Sequence, residues 1–118
     1  MLKNKSILLP KDSEDGVRVC VMNSIHPEYE FDMWLPCLAP SRELVEKYVI
    51  NETISWEEFE VEYVKEQKES ASASEALKAL KYLIEVAGEA GKDVTLLCFE
   101  EEIEKCHRKL IVENLGSI

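Results

Sequence analysis

The chain has 118 residues, 46% of them hydrophobic and 32% charged, and a net charge of −10, which suits one soluble domain with a single core. The acidic balance argues against a nucleic-acid backbone as partner, because phosphates are bound by clustered Lys and Arg and the cations here are scattered. No apolar run approaches the ~18 residues of a membrane helix, and Met1-Leu2-Lys3-Asn4-Lys5 lacks the apolar core and cleavage site of a secretory signal. The expected location is the cytoplasm, where Cys20, Cys37, Cys98 and Cys106 read as free thiols rather than a disulfide framework.

In chain order, Ser6-Ile7-Leu8-Leu9 is a short apolar run stopped by Pro10 and is expected as the first strand. Lys11 to Gly16 is a polar turn ending in Asp15-Gly16, a strong turn dipeptide. Val17 to Met22 reads as a second strand buried on both faces, with Cys20 in the core. Asn23 to Cys37 has no periodicity and holds His26, Tyr29, Phe31 and Trp34, so it is expected as a folded loop packed by its own aromatics. Ser41 is an N-cap for a helix carrying Leu44, Val45 and Tyr48 on its apolar side. Ser55-Trp56-Glu57-Glu58 reads as a capping box, and the helix behind it sets Trp56, Phe59 and Tyr63 on one face.

Gln67 to Ser74 is low in bulky residues and is expected as a flexible link or frayed end, with a second capping box at Ser72-Ala73-Ser74-Glu75. Ala76, Leu77, Leu80, Leu83, Ile84 and Ala87 then draw a full apolar stripe, and Gly91 lies where a left-handed helix cap would go. Val94 to Cys98 is a third strand, and a last helix runs from about Ile103 to Leu115. The helices between the second and third strands make a long crossover, which predicts parallel neighbours in a right-handed arrangement. The sense of the first strand stays open. The fold expected over residues 1–118 is α/β: one small layered domain with a mostly parallel sheet flanked by helices.

Reactive side chains cluster densely in one stretch, from Thr95-Leu96-Leu97-Cys98 through an acidic loop to Cys106-His107-Arg108. Ligands of α/β sheets sit beyond the carboxyl ends of the strands, and a helix N-terminus offers unpaired N–H groups and a partial positive charge to anions. The same residues carry a family resemblance. Leu96, Leu97, Cys98, Glu100, Cys106, His107 and Arg108 match the Leu-Leu-Cys-x-Glu and Cys-His-Arg signature of the domain-of-unknown-function 488 family. Asp15-Gly16 with Arg18-Val19, Asp32-x-Trp34-Leu35 with Leu38-Ala39-Pro40-Ser41, and Trp56, Phe59, Tyr63 and Glu66 resemble its YeaO-like branch, in order along nearly the whole chain. The resemblance implies an α/β domain without an established activity. Where relatives carry arginines around a Trp-Pro pair, this chain has Asn23-Ser24-Ile25-His26-Pro27-Glu28, which weakens a phosphate-binding claim.

The candidate catalytic residues are Cys106, His107 and Cys98; the candidate ligand contacts are Arg108, Arg18, Glu100 and Trp34. Cations at Lys105, His107 and Arg108 favour a Cys106 thiolate, but four glutamates oppose them, and Ile103, Cys106 and Leu110 share a helical face that makes Cys106 equally a core residue. Cys98 ends a strand, as ligand contacts do, or is a buried terminus. A zinc site at Cys98, Cys106 and His107 is chemically admissible but fits no standard ligand spacing, and no metal or other cofactor is assigned. Arg108 opposes the helix dipole and needs a bound anion or an ion pair with Glu100 or Glu102. Arg18 in an apolar strand needs a buried acid or a ligand anion. Trp34 suits the core as well as a ligand.

Three functions follow. The first is a small anionic-ligand-binding domain with its site at the corner around Cys98 to Arg108. The second is a thiol-dependent enzyme or redox protein using Cys106 or Cys98 with His107. The third is an interaction protein without chemistry, so catalysis and homo-oligomerisation stay open. Binding leads, because the corner lacks a complete set of nucleophile, base and orienting group.

Overall fold

Alternating side chains and a long helical crossover give a four-stranded parallel sheet with helices on one face. The computed structural model describes residues 2–98 and 107–115. Strands β1 (Leu2–Ser6), β2 (Val17–Cys20), β3 (Met33–Trp34) and β4 (Val94–Cys98) are arranged in the order β1-β4-β2-β3. All three pairings are parallel, with Leu2 opposite Val94, Val17 opposite Val94 and Cys20 opposite Trp34. The helices are α1 (Arg42–Val45), α2 (Trp56–Glu69), α3 (Ala71–Glu89) and α4 (His107–Leu115), with a five-residue π-helical turn, Glu46–Ile50, between α1 and α2.

Period-two alternation sorts the sheet into two faces. Val19, Val21, Val94, Leu96 and Cys98 point to the helices and share one buried cluster with Leu44, Phe59, Tyr63, Leu80, Leu110 and Ile111. Lys5, Arg18 and Thr95 share the other face by register. The 3₁₀ turn Ser13–Asp15 covers that face, since the Asp15 carboxylate accepts from Lys5 Nζ (3.1 Å) and pairs with the Arg18 guanidinium. Thr95 Oγ1 donates to the Asp15 carbonyl at 2.7 Å. The five residues of β4 are all buried, as a strand covered on both sides requires.

Asp15-Gly16 is the predicted turn, and its chemistry is steric. Gly16 has φ +68°, and a Cβ there would lie 2.0 Å from the Asp93 carbonyl oxygen. Only glycine lets β2 start this close to the α3–β4 turn, where Val17 N–H donates to that same oxygen. Gly91 is also left-handed, at φ +71°, and follows the end of α3 as expected.

Three expectations are corrected. The first strand is Leu2–Ser6, not Ser6–Leu9; beyond Ser6 the chain turns, and Leu8 and Leu9 are exposed. Polar Leu2-Lys3-Asn4-Lys5-Ser6 can pair because β1 has one partner, and its lysines reach Asp93 and Asp15. Gln67 to Ser74 is not a link. Only Ser70 breaks it, with φ −96° and ψ 116°, closing α2 and capping α3 through its hydroxyl to Ala73 N–H. The capping box expected at Ser72 to Glu75 is therefore not formed, and Ser72 lies inside α3. Small residues serve close packing there, and Ala73 is fully buried.

Other expectations stand. Ser41 caps α1 through Leu44 N–H, and Ser55 with Glu58 forms the capping box of α2. Glu66, on α2, ties the two helices by accepting from both the amide and the hydroxyl of Ser41. The α3 stripe is buried at Ala76, Leu77, Leu80 and Ala87, with Leu83 and Ile84 packed against the same core. The irregular segment from Asn23 pairs briefly as β3, which the missing periodicity concealed. For the last helix, Ile103 to Cys106 lie outside the described residues.

Candidate functional site

Beyond the carboxyl ends of β1 and β4 the described chain lies on opposite faces of the sheet. Beyond β1 it passes the Lys5 side, where Lys5 Nζ donates to the Pro10 carbonyl at 2.7 Å. Helix α4, which follows β4, packs its Leu110, Ile111 and Leu115 into the core on the other side. A crevice beyond the carboxyl ends of two such strands is where α/β sheets bind ligands.

His107, the first residue of α4, lies by the carboxyl ends of β2 and β4 and is 6% exposed. Its Nε2 lies 2.8 Å from the Val21 carbonyl oxygen, one residue past β2. That oxygen only accepts, so Nε2 carries a proton, and in a neutral ring the lone pair is then on Nδ1. Nδ1 faces Cys98 Sγ at 3.9 Å. The Tyr63 ring meets the imidazole edge-on at 5.9 Å, and Tyr63 is itself held by its hydroxyl donating to the Leu38 carbonyl at 2.6 Å. Strand end, imidazole and helix start are thus locked together from three sides.

Cys98, the last residue of β4, is 1% exposed and belongs to the core. Cys106 and Glu100 lie outside the described residues, as does the side chain of Arg108, whose backbone is the second residue of α4. Cys98 and His107 are therefore the two predicted residues that the described structure brings together. Val21 escaped sequence reading because its carbonyl acts and its side chain does not. The Tyr63 ring was read as core, and nothing local marks it as a neighbour of His107.

Arg18 is placed elsewhere. It is 1% exposed, on the sheet face away from the helices, where its guanidinium pairs with Asp15 and Nε donates to the Glu30 carbonyl at 2.9 Å. Its backbone N–H donates to Asp32. The buried acid is the partner the sequence asked for, and the sheet separates Arg18 from His107. Burial raises the Asp15 carboxyl, but the Asp12 amide, Lys5 and Arg18 outweigh it and hold the group below its ordinary range. Trp34 lies on edge strand β3, 38% exposed, donating to the Met22 carbonyl at 2.7 Å. Two strand spacings, about 10 Å, separate β3 from β4. Cys20 is buried as expected, and burial raises its thiol.

A cavity of about 750 Å³ opens at the other, amino end of the sheet. Lys3, Lys11 and Lys92 line it, but so do Glu14, Asp32 and Asp93, and Lys3 pairs with Asp93 at 2.9 Å. Its charges balance internally, which leaves no excess for an anion. Among the described residues no group of three or more His, Cys, Asp or Glu side chains could hold a metal ion, and no helix is long and apolar enough to cross a membrane.

No curated protein and no solved structure matches the chain. One family model does, described as DUF488-N3a, active DUF488-N3 subclade, over residues 3–117. The signature at the β4–α4 corner and the match along nearly the full length agree, and the chain belongs to the domain-of-unknown-function 488 family.

Proposed function

We propose that this chain binds a small anionic ligand in the crevice beyond β1 and β4, with Arg108 as its charged contact. Support comes from the anchoring of His107. The Val21 carbonyl and Cys98 fix the residue before Arg108, so the start of α4 is held by the carboxyl ends of β2 and β4. A preorganised helix start with a guanidinium beside it binds a carboxylate or phosphate without first ordering the chain. Calorimetric titration with inorganic phosphate and citrate tests this. The wild type should bind at least one of them saturably and Arg108→Ala should lose tenfold or more; unchanged affinity ends the reading.

A second reading rests on the tautomer of His107. With Nδ1 as acceptor beside the sulfur, the Cys98 proton can pass to the imidazole, leaving a thiolate and an imidazolium held by the Val21 carbonyl. This supplies the orienting group that sequence reading lacked. Against it stands the burial of Cys98. Alkylation of each cysteine across pH, read by peptide mass spectrometry with and without chelator, decides it. Fast labelling of Cys98 well below pH 8 that His107→Asn abolishes would establish the pair, and inert Cys98 in the folded protein would dismiss it.

A further inference from the structure

A single residue joins the two long helices. Helix α2 ends at Glu69 and α3 begins at Ala71, and Ser70 alone leaves the helical region. Its hydroxyl accepts from Ala73 N–H, and its own N–H reaches the Gln67 carbonyl at 3.3 Å. Nothing else from Gln67 to Ser74 interrupts a helix, since the stretch has no glycine, no proline and no β-branched residue. With Ser70 helical, α2 and α3 become one helix from Trp56 to Glu89, about 50 Å long at 1.5 Å per residue. The last carbonyls of α2 and the first amides of α3, which lie outside either ladder at a helix end, then bond each other. One serine cap is lost in exchange.

A lone chain with a merged helix would forfeit the packing of α2 against α3, where Phe59 and Tyr63 share one buried cluster with Ala73, Leu77 and Leu80. A second copy restores all of it. We propose that Ser70 is an exchange hinge, through which two copies of this chain swap α3, β4 and α4 to form a domain-swapped dimer. Each half of that dimer repeats the closed fold with its contacts made between chains. Monomer and dimer then differ in the hinge itself and in the cost of bringing two copies together. Strand β4 lies between β1 and β2, so exchange runs through unfolding, and the dimer persists on dilution once formed. The β4–α4 corner becomes a shared site, with Val21 and Tyr63 of one copy against His107 of the other. The exchange does not depend on ligand binding at that corner.

The test refolds the full chain from urea at low and at high protein concentration and reads its mass by sedimentation. Concentrated refolding should yield a dimer that survives dilution. Lys3 Nζ and Asp93 lie 2.9 Å apart but on opposite sides of the hinge in sequence. A carbodiimide, which joins amine to carboxylate without a spacer, therefore reports the swap. The Lys3–Asp93 crosslink should tie two chains together in the dimer and stay within one chain in the monomer, read by denaturing gel and peptide mass spectrometry. Ser70→Ala removes the cap of the closed form and favours the merged helix, so it should raise the dimer yield at least threefold. Two glycines inserted between Glu69 and Ser70 interrupt the merged helix but keep the α3 cap, and should lower the yield at least threefold. Circular dichroism confirms that each variant folds. The proposal is overturned if wild type and Ser70→Ala are monomeric at every concentration, or if neither hinge variant changes the yield. A dimer whose Lys3–Asp93 crosslinks stay within single chains overturns it too, because its copies then meet by their surfaces.

Discussion

At the scale of single residues, His107 has two duties that point the same way. Its Nε2–H satisfies the Val21 carbonyl at the end of β2, and its ring fills the space between Tyr63 and Cys98. Replacing it with Phe keeps the ring and removes the hydrogen bond, leaving a buried carbonyl without that donor. Such a loss costs about 1–3 kcal/mol, so urea unfolding of His107→Phe should show a lower midpoint with an unchanged slope. An unchanged midpoint would mean that Val21 finds water or another donor, and that α4 is not pinned through this contact. Arg18 shows how far residue-level reading reaches. A lone guanidinium in the run Val17-Arg18-Val19-Cys20 demands a buried acid, and Asp15 is only three positions away. The acid was implied, but which face of the sheet it lay on was not, because that depends on the register of β2 against β4. The sequence grouped Arg18 with Arg108 as candidate ligand contacts, and the structure sets Arg18 on the sheet face away from the helices.

The element scale is where caps and turns decide stability. Gly16 and the Ser55–Glu58 box differ in kind: one permits a close approach, the other completes a helix end. Ser55→Ala should lower stability by about 1 kcal/mol, the usual worth of an N-cap. Gly16→Ala should cost more, because the added Cβ meets both a left-handed φ and the Asp93 carbonyl. Thermal melts of the two variants side by side test the order, and a milder effect at Gly16 would show that the α3–β4 turn can yield. Elements with a local signal were legible: the α3 stripe, the caps at Ser41 and Ser55 and the buried strand before Cys98 all follow from spacing, whereas the cap of α3 is Ser70 and not the expected Ser72. Strands β1 and β3 were not, since an edge strand of five mostly polar residues and a two-residue pairing carry no periodicity of their own. Their existence depends on what the neighbouring strand offers. At the candidate site the sequence located the corner and two of its partners, while the Val21 carbonyl, a backbone group, left no mark on it.

At the scale of the whole molecule, the sheet divides two sets of polar contacts. The Lys5–Asp15–Arg18 cluster lies on the face away from the helices, under the Ser13–Asp15 turn, and Cys98 with His107 lies on the helical face at the carboxyl end. The cluster has a defined pH signature. The folded Asp15 carboxyl sits below its ordinary value of 3.8, so unfolding takes up a proton in the window just beneath that value. Its contribution is complete above the unfolded pKa and is lost as pH falls through the folded one. Acid should therefore weaken the wild type below about pH 4, and Asp15→Asn should be less stable at neutral pH with a flatter acid limb. Separation by the sheet makes a stronger demand. If the two sets share no partner, the stability losses of Asp15→Asn and His107→Phe should add to within about 0.5 kcal/mol in the double variant at pH 7. A coupling of 1 kcal/mol or more would join them into one cooperative network and restore Arg18 to the neighbourhood of the ligand. Additivity would leave the carboxyl-end crevice to be explained by α4, Cys98 and Val21, with Arg18 serving the sheet.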